Sequence, residues 1–137
     1  MAKAHKAHIM VAVLGEKEKL LERGKLFTKA MAVCCKQKYA TGVYTSGVVF
    51  EPRFYEGLAD MLKEDELPIF NWVWFGLYRS ERGLNGYTYG MDVFGKEEME
   101  VLNADAEPED LRDFLASLAS YVLACDVTLK DGETIGF

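Results

Sequence analysis

The 137-residue sequence is poor in the residues that build metal and disulfide sites: it has three cysteines and two histidines. The odd cysteine count and the absence of any C-x-x-C exclude a disulfide framework and a cysteine-based zinc site. The histidines form one His5-x-x-His8 pair, with no third histidine or cysteine near it in sequence. We therefore expect no bound metal and, because the cysteines are unpaired, a reducing cytoplasmic compartment.

Basic charge and long apolar runs are also scarce. The chain has 16 Lys and Arg against 22 Asp and Glu, a net charge of −6. It thus lacks the basic footprint of nucleic-acid-binding proteins, and anionic membrane surfaces would repel it. The apolar run Ile9–Leu14 is too short to span a bilayer, and the polar start is not a secretory signal. We expect neither nucleic acid nor a membrane as a partner.

The first half of the chain is predicted to form a parallel β-α-β unit. The continuous apolar run Ile9–Leu14 is typical of a strand buried on both faces. Apolar residues from Leu20 to Cys34 then recur at helical spacing, with Gly24 on the same stripe. A second strand region at 42–50 follows, broken at Ser46-Gly47 by a bulge or kink. Strand, helix and strand in this order imply a right-handed crossover.

The second half alternates between strands and helices. Pro52 and Pro108 each fit the first turn of a helix. Ile69–Tyr78 is the most apolar stretch and predicts a central strand, which forms an antiparallel hairpin with the alternating stretch 86–91. Segment 98–102 fits either a strand or a helical turn, and Val127–Leu129 predicts a last short strand.

The predicted fold class is therefore α/β (α+β): a mixed β-sheet covered by about three helices, in the order β-α-β-α-β-β-(β)-α-β. Residues 1–137 are one domain's worth of chain. The abrupt end on apolar residues leads us to expect a domain cut from a longer protein.

Three separated motifs, 89–100, 118–123 and 129–136, resemble a bacterial family of domains of unknown function, number 4261 (DUF4261). The likeness is densest from about Leu67 to the end, and the segment leading into Ile9 is similar to the one that precedes this region in longer members. The resemblance implies a bacterial protein with a missing N-terminal segment. It implies no activity.

The stretch Gly90–Lys96 matches G-x-x-x-x-G-K, the pattern of a phosphate-binding loop. That loop requires a Ser or Thr after the lysine, whereas Glu97 and Glu98 follow here and would repel phosphate. The strand before it also belongs to a hairpin and does not feed a helix. We expect a turn in which Gly90 and Gly95 adopt conformations closed to other residues, and no nucleotide cofactor.

Titratable side chains offer one alternative site. Asp92, Glu97, Glu98 and Glu100 cluster after a strand, and such carboxylates serve either acid–base chemistry or a solvated acidic face. An enzyme or small-ligand binder would use His8, Asp92 and Glu97 near the glycine-rich turn. The cysteines are expected in helical core positions and not as nucleophiles.

The favoured hypothesis is a non-enzymatic interaction or scaffold domain. The hairpin is unusually aromatic, and both of its faces are apolar, so three helices could leave part of it uncovered. Core packing accounts for most of these side chains, and the rest would bind a partner. We expect that partner to be another protein, the missing segment of the same chain or a second copy in a homodimer. The aromatic residues are Trp72, Trp74, Phe75, Tyr78, Tyr87 and Tyr89.

Overall fold

A computed structural model of the chain describes residues 4–135 and confirms the α+β class. Short 3₁₀ turns lie at Lys17–Lys19, Asp60–Glu64 and Met91–Phe94. The helices are α1 (Leu20–Cys35), α2 (Pro52–Ala59), α3 (Ile69–Trp72) and α4 (Pro108–Ala124), and the strands are β1 (Val43–Thr45), β2 (Val48–Phe50), β3 (Trp74–Ser80), β4 (Gly83–Tyr89) and β5 (Glu100–Ala104).

The described strands form two antiparallel sheets in place of one mixed sheet. β1 and β2 make a small hairpin, and β3, β4 and β5 follow one another in a three-stranded meander. The residues at the break, Ser46 and Gly47, both have positive φ (51° and 76°). They therefore make a tight hairpin turn of the kind that suits strand twist, where a bulge or kink was predicted.

Both predicted proline starts are confirmed. Pro52 opens α2, and the Glu51 carboxylate caps it by accepting a hydrogen bond from the Phe54 amide (2.8 Å). Pro108 opens α4, with Glu109 and Asp110 in its first turn, where the helix dipole favours negative charge.

Helix α4 covers one face of the three-stranded sheet. Leu111 and Leu115 pack against Leu84 there, with Phe75 and Leu77 alongside. A second and larger cluster lies between α4, α3 and the turn after β4. It contains Ile69, Trp72, Val73, Met91, Phe94, Ala116, Ala119, Val122 and Leu123. Cys35, Val43 and Tyr55 form a separate small core between α1, the hairpin and α2.

The predicted N-terminal strand is wrong. Ile9–Leu14 has no strand partner within residues 4–135, and Ile9, Met10 and Leu14 are 79%, 85% and 93% exposed. A strand is stabilised by its neighbours in the sheet, and none is supplied here. The expected parallel crossover is therefore not formed. Val127–Leu129 likewise follows α4 as irregular chain and not as a strand.

The predicted central strand begins later than expected, because Ile69–Trp72 is a helical turn. Two buried polar contacts hold this turn. The Trp72 indole donates to Thr28 Oγ1 of α1 (2.7 Å), and the Asn71 amide donates to the Tyr55 carbonyl (3.3 Å). These tertiary bonds override the strand preference of the apolar sequence.

Gly24 on the α1 stripe is explained by close packing against Phe94. A Cβ at this position would lie 2.6 Å from Cε1 of Phe94, whose ring contacts Trp72 (centroids 4.8 Å apart). The glycine lets α1 approach the turn that follows β4.

Candidate interaction surface

Among residues 4–135, helix α4 covers one face of the β3–β4 hairpin and leaves the aromatic side chains of the other face partly exposed. Trp74 pairs with Tyr89, and Gly76 pairs with Tyr87, and residues directly opposite in an antiparallel pair share a face. Tyr78 lies on the same face, two residues after Gly76. Trp74, Tyr78, Tyr87 and Tyr89 are 52%, 45%, 39% and 58% exposed, and we call them the aromatic face.

Two rings of the aromatic face, those of Tyr78 and Tyr87, contact each other. Tyr87 lies over Gly76 and leaves no room for a Cβ there. Its ring is 6.4 Å from that of Tyr78, whose hydroxyl donates to Glu100 Oε1 on β5 (3.3 Å). Desolvation and this carboxylate raise the pKa of Tyr78. Tyr78 and Tyr87 are thus packed against their own sheet and remain partly exposed.

The aromatic face borders a groove of about 450 Å³ between the β1–β2 hairpin, α2 and the start of β3. A second hollow of about 390 Å³ adjoins it, and Trp74 lines both. The lining is mostly apolar, with Arg112 as its charged residue and with Asn71, whose Oδ1 is buried without a hydrogen-bond partner. The apolar side chains include Phe50, Phe54, Leu58, Phe70, Trp72 and Phe75.

The glycine loop 90–96 binds an anion, but the anion is part of its own chain. Glu98 Oε1 accepts hydrogen bonds from the amides of Gly90 (2.7 Å), Met91 (2.9 Å) and Asp92 (3.4 Å). Its other oxygen accepts from the Thr88 hydroxyl (2.7 Å). The amides that a phosphate would need are therefore occupied.

The loop geometry agrees with the predicted turn. Gly90 and Gly95 have φ of 119° and 71°, as expected for glycine positions. A Cβ on Gly90 would lie 2.6 Å from the Trp72 carbonyl oxygen. The Lys96 ammonium forms an ion pair with Asp126 (2.7 Å) beyond α4.

The three residues of the alternative site do not line the groove. His8 is exposed on the N-terminal segment, and Asp92 and Glu97 are exposed in and just after the glycine loop. Across residues 4–135, no three His, Cys, Asp or Glu side chains come close enough to hold a metal ion. The titratable residues named from the sequence therefore lie outside the lining of the groove.

The cysteines differ in their surroundings. Cys35 is buried, Cys34 is partly buried and Cys125 is exposed. Burial, followed by the nearby Glu56 carboxylate, raises the pKa of Cys35 to about 11, so its thiol stays protonated near neutral pH. Core placement was expected for all three: it is confirmed for Cys35 and is wrong for Cys125, which lies exposed at the end of α4.

Sequence reasoning missed the groove and the hydrogen-bonding role of Glu98. The groove walls come from segments far apart in the chain, and no local pattern shows that they meet. The sequence did contain a sign of the role of Glu98, because a carboxylate two residues after Lys96 can fold back and accept hydrogen bonds from the loop amides.

No helix in the described part of the chain is long and apolar enough to cross a membrane. Neither the curated proteins nor the solved structures contain a match to this chain. A family model, described as a domain of unknown function (DUF4261), matches residues 87–137. The part of the chain from Tyr87 onward, which carries the Glu98 loop, β5 and α4, thus matches the DUF4261 family.

Proposed function

We propose that this domain is a non-enzymatic protein-interaction module of a bacterial cytoplasmic protein. It accepts an extended segment of a partner along β3 and the aromatic face. The observation that carries the proposal is a half-exposed aromatic surface on β3 and β4, beside a β3 edge that pairs with no other strand among residues 4–135.

The two outer strands of the meander, β3 and β5, differ in how readily their edges can accept another strand. β3 is seven residues long, contains no proline, and carries Arg79 as its single charged residue. β5 is interrupted by a bulge in which Leu102 and Asn103 together oppose Asn85, and Asn103 has a positive φ of 56°. Bulges and charges block added strands, so β3 is the edge on which another strand can pair.

The side chains next to this edge suit a protein partner. Tyrosine and tryptophan are enriched in the centres of protein interfaces, because they offer large contact areas at low entropic cost. Phe54 and Phe70, 58% and 37% exposed, extend the apolar surface into the groove. An added strand would place alternate side chains over the aromatic face, as in other cases of strand addition.

The alternative, an enzyme or small-ligand binder, has weaker support. The groove volume falls within the range of about 300–1,000 Å³ that is usual for ligand sites. However, neither His8 nor the two candidate carboxylates line it. The groove offers apolar contact without a set of convergent catalytic groups, which favours the interaction module.

The test is a selection of random 12-residue peptides against the wild-type protein, followed by amide hydrogen exchange. Selected peptides should slow exchange at β3 amides, and Trp74→Lys should weaken their binding at least about tenfold. Val33→Lys on α1 is the matched control, because Val33 is similarly exposed at 59% and lies outside this surface. Peptides that protect another surface, or that bind both variants equally, would overturn the proposal.

A further inference from the structure

We infer that the segment that pairs with β3 is Ile9–Leu14 of a second copy of this chain. The inference rests on the proposed function and names the partner for the same surface. Each copy gives one apolar segment and receives one, so that the two sheets gain a strand reciprocally.

The donor segment, Ile9–Leu14, has the composition of a strand but pairs with no strand among residues 4–135. All six residues from Ile9 to Leu14 are apolar, three of them β-branched, and the run ends at Gly15. The Arg23 guanidinium donates to the Gly15 carbonyl (2.8 Å), which ties the end of the segment to α1. Ile9, Met10 and Leu14 are left largely exposed, so a strand of this kind gains stability by pairing elsewhere.

Opposite charges favour docking of the N-terminal segment of one copy onto the remaining part of the other copy. The first 14 residues contain two lysines and no acidic residue, a charge of +2 with histidines neutral. The whole chain carries −6, so the other 123 residues carry −8. Glu100, which bonds to Tyr78, lies beside the aromatic face and Lys6 lies just before the donor run. Attraction between basic segment and acidic domain offsets part of the repulsion between two acidic copies.

The exposed areas of the aromatic face and of the donor segment indicate that two copies exchange their segments, because contact between the two faces alone would bury too little surface. Aromatic side chains offer about 150–250 Å² each, so the half-exposed aromatic face provides about 400 Å². A stable interface buries about 800 Å² on each partner. The exposed side chains of the donor segment add on the order of 300 Å². The area buried on each copy approaches that of a stable interface only when the donor segment and the aromatic face are both buried.

Reciprocal exchange also closes the assembly. With β5 bulged, β3 is the edge of the three-stranded sheet that can accept a strand, so this sheet offers one accepting edge in each copy. Two copies related by a twofold axis satisfy both edges and leave none for a third copy. The expected species is therefore a dimer of twice 15.5 kDa and not a fibre.

The experiment is sedimentation equilibrium of the full chain and of two proline variants. Ala12→Pro removes a backbone donor within the donor run, and Ala7→Pro makes the same change outside it; both positions are exposed and irregular. We expect wild type and Ala7→Pro to be dimers, and Ala12→Pro to dissociate at least about tenfold more readily. A wild-type monomer, or equal dimerisation of the two variants, would overturn the inference.

A labelled synthetic peptide of residues 6–15, added to the Ala12→Pro protein, separates the two proposals. If the wild type is monomeric and the peptide still protects β3 amides, the strand-accepting surface stands and the second copy is wrong. If β3 amides exchange slowly in a wild-type monomer without peptide, and lose that protection in Ala12→Pro, the segment docks on its own copy, which again overturns the dimer. If neither the segment nor selected peptides protect β3, both proposals fail.

Discussion

The Glu98 carboxylate is expected to be a main stabilising contact of the loop that follows β4. Removing it in Glu98→Ala leaves the Gly90 and Met91 amides and the Thr88 hydroxyl without their acceptor. Hydrogen bonds to charged groups contribute about 1.5–3 kcal/mol each, and bonds to one group are not additive. Because the glutamate is partly solvated, we expect the free energy of unfolding to fall by about 2–4 kcal/mol in total.

The measurement is urea denaturation followed by the fluorescence of Trp72 and Trp74. Glu98→Gln keeps one acceptor oxygen for the loop amides but loses the charge, so it should cost about half as much as the alanine variant. Glu97→Ala is the matched control, because Glu97 is exposed, adjacent and equally charged. It should change stability by no more than about 0.5 kcal/mol. If Glu98→Ala cost no more than Glu97→Ala, the assignment of the carboxylate to the loop amides would be refuted.

The remaining predictions concern titration, packing and ligands. Burial raises the pKa of Cys35 to about 11 and of Tyr55 to about 12, so both groups hold their protons more tightly in the folded state. The stability that these two protonated groups contribute is complete below pH 9 and is lost as the pH rises towards 12. In urea denaturation, the free energy of unfolding of Tyr55→Phe should therefore fall less over that pH range than that of the wild type. An equal fall would contradict the role of Tyr55 burial. Gly24→Ala gains up to about 1 kcal/mol of helix propensity but clashes with Phe94, so its melting temperature should fall, and a rise would show that the ring can move aside. Calorimetric titration with ATP at millimolar concentration should show no saturable binding, because the loop amides already bind a carboxylate; saturable binding that Lys96→Ala abolishes would refute this. A chelator should leave the melting temperature unchanged, and a drop of several degrees would reveal a metal site.

Much of the secondary structure followed from local chemistry in the sequence. The two proline starts, the α1 stripe and the antiparallel hairpin each depend on residues near one another in the chain, so their patterns were sufficient. The resemblance to DUF4261 likewise followed from short contiguous motifs, and the family match at residues 87–137 confirms it. The interpretation of Gly90–Lys96 as a turn also needed only local rules for glycine.

Strand pairing and the candidate surface required the tertiary structure. Ile9–Leu14 has the composition of a buried strand, but only a neighbouring strand could make it one, and residues 4–135 provide none. The turn at Ile69–Trp72 depends on Thr28 and Tyr55, which lie 44 and 16 residues away from the side chains that bond to them. Composition established that the hairpin is aromatic. Which rings remain exposed was decided by where α4 packs, because a helix covers one face of a sheet and the sequence does not record which.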